Sequence, residues 1–148
     1  MNLSPGSYGY HDLKVDDCLV TDTRIISTAL IDDFAHVSGD TYEIHMSDTA
    51  AQAKGFERRV AHGLLVLAVI DGLKNNAPAR FDALASLGWT WRFVAPVLAG
   101  DHVSARFVIR EKRLTSNGNR GIIKTAAEAM NQHGDVVQEG ENGLIFDL

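Results

Sequence analysis

Several scarcities narrow what this chain can be. It has one cysteine, Cys18, in 148 residues. An internal disulfide is therefore ruled out, and a cytoplasmic setting is the natural expectation. Nothing near Cys18 suggests a lowered thiol pKa, so it is not read as a nucleophile. Positive charge is in deficit: 14 Lys and Arg stand against 19 Asp and Glu, a formal net charge of −5. That balance argues against nucleic acid or an anionic membrane as the main partner. The longest uncharged apolar run, Gly63 to Ile70, is far below the roughly 20 residues a membrane span needs. The start of the chain, Met1 to Gly6, has neither the basic start nor the apolar block of a signal peptide. There is no phosphate-cradling glycine loop and no Gly-x-Ser-x-Gly nucleophile elbow. His11, His36, His102 and His133 do not cluster with cysteine or acidic residues at metal-ligand spacing, so no metal site is expected.

What is present suits an enzyme-sized domain. With 45% hydrophobic residues, one core spanning residues 1–148 is the expectation. Residues 1–17 read as loop, and Cys18 to Ile26 as a strand. Ser27 or Thr28 can cap a helix carrying Leu30, Ile31 and Phe34 on one face, ended near Ser38-Gly39. Ser47-Asp48 can cap a short helix stopped by Gly55. A third helix, about His62 to Lys74, is apolar on nearly every side and should be buried. After Pro78 the period changes to two. Trp89, Trp91 and Phe93 alternate with Thr90, Arg92 and Val94. Val103, Ala105, Phe107 and Ile109 alternate with Ser104, Arg106, Val108 and Arg110. Ser116-Asn117-Gly118 and His133-Gly134-Asp135 are turns separating strands over 122–130 and 136–146. Several antiparallel strands following one long buried helix suggest an α+β fold, a sheet of about five strands wrapped around that helix.

The chemistry concentrates in one stretch. Asp40 and His45 stand five residues apart in a turn-rich segment, and His62-Gly63 opens the apolar helix. Alone, Asp40 after Ser38-Gly39 reads as a turn residue, and His45 as a hydrogen-bonded structural histidine. Together with the helix start they read as a water-activating pair. A neutral imidazole accepts a proton near pH 7, and a carboxylate beside it orients the same water. Unpaired N–H groups at a helix N-terminus stabilise negative charge on a carbonyl oxygen. Gly63, lacking a side chain, allows close approach to that backbone. These are the parts for adding water across a double bond conjugated to a carbonyl, or for removing it.

The residues Ser38-Gly39-Asp40, Ile44-His45 and Val60-Ala61-His62-Gly63, with Phe93 to Val97, Gly100-Asp101 and Asn131 to Asp135, resemble the MaoC-like dehydratases. That group includes the (R)-specific enoyl-CoA hydratases. The resemblance runs from about Tyr10 to Leu148. It implies a hot-dog fold, a curved antiparallel β-sheet wrapped around a long central α-helix, usually paired as a homodimer or higher oligomer. It also implies an acyl-CoA thioester substrate with no metal and no redox cofactor, coenzyme A entering only as part of the substrate. By position it makes Asp40 and His45 the catalytic pair and Gly63 the oxyanion donor. His62, Tyr42 and Glu43 are candidates for substrate contact, as are Arg58 and Arg59 for the coenzyme A phosphates. The chain departs from its family at Tyr42-Glu43, where Asn-Pro is usual, which bears on acyl specificity. Two other functions stay open on the same fold: an acyl-CoA thioesterase, and a non-catalytic acyl-CoA binding subunit. Thioesterases of this fold place an acid on or near the central helix; here that helix holds only Asp71, late in its length.

Overall fold

The structure is a computed structural model describing residues 1–148. Strands β1 (Gly6–Tyr8), β2 (Cys18–Val20) and β3 (Arg24–Ile25) lead into helices α1 (Thr28–Ser38), α2 (Glu43–Met46), α3 (Asp48–Ala53) and α4 (Gly63–Asn75). Strands β4 (Ala79–Phe81), β5 (Ala85–Phe93), β6 (His102–Leu114), β7 (Arg120–Met130) and β8 (Val136–Asp147) follow. The main sheet runs β2-β6-β7-β8-β5, with β3 also pairing β6, six strands in all. Every pairing within it is antiparallel.

Periodicity explains the core. Along β6, Val103, Ala105, Phe107 and Ile109 alternate inward and are fully buried, as period-two patterning requires. On α4, Leu65, Val66, Val69 and Ile70 recur at helical spacing and are buried. They join Val103, Ala105 and Phe107 of β6, Ala127 and Ala129 of β7 and Val137 of β8 in one cluster. Burying each large side chain contributes roughly 1.5–3 kcal/mol, so this face decides how α4 lies in the curve of the sheet. Ser27 caps α1 by accepting from the Leu30 N–H at 3.1 Å, and Gly39 ends it with φ 76°.

Several expectations need correction. Cys18 to Ile26 is not one strand. Thr21 turns its hydroxyl to accept from the Ala105 N–H at 2.8 Å, and the chain leaves the ladder until β3. Residues 1–17 are not all loop, since β1 pairs in parallel with β4. An additional short helix, α2, occupies part of the segment read as turns. Nor is α4 buried on every side: Leu64, Ala68 and Gly72, four residues apart, form an exposed stripe.

Candidate active site

The approach to the site is built by local hydrogen bonds. The Ser38 hydroxyl donates to the Phe34 carbonyl at 2.6 Å and accepts from the Asp40 N–H at 3.1 Å. The Asp40 carboxylate accepts from the Tyr42 N–H at 3.2 Å, a side-chain turn of the kind aspartate favours. The turn starts α2, and one helical turn later His45 points inward, 9% exposed. This is why a five-residue spacing brings the two side chains together.

The His45 Nδ1–H donates to the Val60 carbonyl at 2.6 Å. A carbonyl only accepts, so the neutral ring carries its proton on Nδ1 and keeps its lone pair on Nε2. Burial holds the His45 pKa below its ordinary 6.5, with the neighbouring His62 and Arg59 acting in the same direction against Val60 and Asp40. His45 is therefore a neutral base at pH 7. The second imidazole, His62, immediately precedes α4 and is 2% exposed. Its Nε2–H donates to the Asp40 carbonyl at 2.8 Å, and its ring stacks on His45 at 3.9 Å. Its Nδ1 is buried without a partner.

Asp40, His45 and His62 each offer one ligand-type atom within 4.8 Å of the others, a cluster the spacing along the chain did not suggest. His62 spends its Nε2–H on the Asp40 carbonyl, and its Nδ1 is closed off from the cavity by burial. The Asp40 carboxylate and the His45 Nε2 are then the groups of the trio that can meet a small molecule in the cavity. Beside it opens α4. Its first helical bond runs from the Val66 N–H to the His62 carbonyl at 3.2 Å, so the N–H groups of Gly63 and Leu64 precede the ladder. All of this borders a cavity of about 560 Å³. Asp40, His45, His62 and Gly63 lie on its polar side, and its apolar wall includes Phe56, Val60, Val66, Phe93 and Val97.

Not every candidate reaches the cavity. Glu43 turns outward to pair with Lys54 at 3.4 Å. Tyr42 is half exposed, its ring edge-on to His45 at 6.1 Å. The Arg58 guanidinium donates to the Ala99 carbonyl at 2.7 Å and pairs with Asp101 at 3.2 Å. Arg59 donates through Nε to the His45 carbonyl at 2.7 Å and pairs with Asp32. Both arginines act here as internal braces. The glycine at 63 also has a reason beyond substrate approach: a Cβ there would overlap the Phe93 ring. One cavity residue escaped the sequence reading. Gln138, 2% exposed, donates to the Gly63 carbonyl at 3.0 Å. Nothing in its local pattern on β8 distinguishes it. Asp71 lies near the opposite end of α4, paired with the buried Lys74 at 2.7 Å.

Comparison with known proteins places the chain by family and fold. The family model described as the MaoC like domain matches residues 14–130. A mitochondrial 3-hydroxyacyl-[acyl-carrier-protein] dehydratase of Arabidopsis thaliana is 30% identical over 135 residues, covering 90% of this chain and 78% of that protein. Other curated relatives are longer, and the chain spans less than two thirds of their length. The solved structure of an R-hydratase from Pseudomonas aeruginosa, in its unliganded form, superposes with a TM-score of 0.80 at 29% identity, covering 94% of this chain and 85% of that one. A monoamine oxidase regulatory protein from Archaeoglobus reaches 0.86 at 21% identity, covering 98% of each chain; that likeness bears on the fold alone. The hot-dog architecture is common to these proteins.

Proposed function

The chain belongs to the MaoC-like dehydratase family, and we propose that it is a hydro-lyase. It adds water to an enoyl thioester, or dehydrates the (R)-3-hydroxyacyl thioester, with coenzyme A as the carrier. The observation that carries this reading is the meeting of Asp40 and His45 at the polar wall of an otherwise apolar cavity, beside the free N–H groups of α4.

The reaction runs as follows. Water sits between the Asp40 carboxylate and the His45 Nε2. Nε2 takes one proton as the water oxygen bonds to the β-carbon. The electron pair of the double bond moves onto the thioester oxygen, where the Gly63 N–H and the positive end of α4 stabilise it. The proton held by His45 passes by way of the Asp40 carboxylate to the α-carbon, restoring the thioester carbonyl and both side chains. No metal or redox cofactor enters this scheme. The apolar wall receives the acyl chain. A pair of subunits, joined along β5, completes the proposed assembly.

Hydrolysis of the thioester is the rival reaction. The one acid on α4, Asp71, is held by Lys74 away from the cavity, which favours hydration. Incubation of the purified protein with crotonyl-CoA separates the readings. Loss of enoyl absorbance without free thiol is expected. Free thiol would show a thioesterase. Neither product across a panel of enoyl thioesters on coenzyme A and on acyl carrier protein would leave a binding subunit.

A further inference from the structure

The oxyanion turn of α4 is held from across the fold by two side chains that no sequence motif marks. Gln138 stands on β8 and Trp91 on β5, neighbouring strands of the sheet. The Trp91 indole Nε1–H donates to the Gln138 Oε1 at 2.7 Å, and the Gln138 Nε2–H donates to the Gly63 carbonyl at 3.0 Å. The orientation of the amide is not ambiguous. An indole nitrogen only donates, so Oε1 must face Trp91, and Nε2 is thereby aimed at Gly63. The Gly63 carbonyl belongs to the same peptide plane as the Leu64 N–H. Fixing that oxygen fixes the direction of the Leu64 N–H, the next donor after Gly63 at the start of α4. A hydrogen bond to the carbonyl also polarises the peptide and strengthens its N–H as a donor.

We propose that Gln138 is a positioning residue for the oxyanion site, locked in its working orientation by Trp91. This rests on the hydro-lyase reading for its effect on rate, but the geometric part stands apart from it. Gln138 is buried in a cavity wall that is otherwise largely apolar, where an amide is retained only if hydrogen-bonded. Both of its polar atoms are spent on this relay. A donor that is to meet a developing oxyanion must be aimed within a fraction of an ångström, and this relay fixes the peptide that carries one.

The test uses Gln138→Met, which removes both hydrogen bonds at similar size, and Trp91→Phe, which leaves the amide in place but frees it to rotate. On an enoyl thioester, Gln138→Met should lower kcat about tenfold, a part of what losing an oxyanion donor costs, with KM changed less than about threefold. Trp91→Phe should lower kcat in the same direction by a smaller factor. The double variant should be no worse than Gln138→Met, because the two side chains act in series. In parallel, the Leu64 amide resonance in ¹H–¹⁵N spectra should shift in both variants. A folded Gln138→Met protein with kcat within twofold of the parent, or an additive double variant, overturns the proposal. Should the parent turn over none of the thioesters tested, the hydro-lyase reading fails. The Leu64 resonance then decides the relay alone, and no shift in either variant overturns it.

Discussion

At the residue scale, the pair Asp40 and His45 should act as a unit. Asp40→Asn and His45→Ala are each expected to lower kcat by at least about 10²-fold. The double variant should be little worse than either, since removing one member already disables the other. Steady-state kinetics on folded protein checks this, and near-full activity in either single variant refutes the assignment. The pH dependence follows from His45. Its folded pKa is lowered below 6.5, chiefly by burial, so the neutral base persists to lower pH than in the unfolded chain. The acid limb of kcat/KM should lie below pH 6.5. Stability has the same sign. As pH falls below 6.5 the unfolded chain binds the proton first, so stability drops toward the folded pKa and is fully present above 6.5. His45→Gln should flatten that part of a denaturant-midpoint profile. Glu43 faces Lys54 and solvent rather than the cavity. Glu43→Gln should therefore keep the order of kcat/KM among enoyl thioesters. A reordered profile in Glu43→Gln would place that side chain in the acyl path.

At the element scale, the loops around the site are tied to one another through Arg59. Its N–H donates to Asp48 at the start of α3 at 2.8 Å, its Nε to the last turn of α2, and its guanidinium pairs with Asp32 on α1. Arg59→Met should raise the mobility of the His45 segment, visible as faster amide exchange over 42–48, and reduce kcat more than KM. Unchanged exchange there would refute the brace. The other end of α4 is fixed by a buried charge. Lys74, 3% exposed, pairs with Asp71 at 2.7 Å, donates to Asn142 at 3.0 Å and lies 5.3 Å from the Trp89 ring centre. Lys74→Met should cost about 1–3 kcal/mol in urea denaturation, because it strands the Asn142 oxygen and leaves Asp71 without its partner.

At the scale of the whole molecule, the sheet has an unprotected side. β5 ends the strand order, which leaves one row of its backbone N–H and C=O groups without a partner strand, and Leu87 on it is 56% exposed. Leu64, 62% exposed, adds the outward stripe of α4. An edge of this kind pairs with another unless it is shielded. Light scattering should give a mass near twice 16.1 kDa, or a multiple of that. Leu87→Asp should shift the mass toward the monomer by placing a charge in the proposed seam. A monomeric parent protein at micromolar concentration would count against the paired assembly.

Much of this was legible before the structure. The alternation in 103–110 and the helical spacing of Leu65, Val66, Val69 and Ile70 determine which faces are buried, because burial follows from the period of each element. Ser27, Gly39 and Ser47 mark helix ends by local hydrogen bonding, which needs only near neighbours. The five-residue step from Asp40 to His45 was readable for the same reason, being one turn plus one helical turn. Contacts between distant segments were not readable. The stacking of His62 on His45, the outward pairing of Glu43, the bracing by Arg58 and Arg59, and the grip of Gln138 on Gly63 join residues up to 75 apart in the chain. No local pattern encodes them. They exist only because the sheet curls round α4 and brings β8, β5 and the 40–60 segment against one end of it.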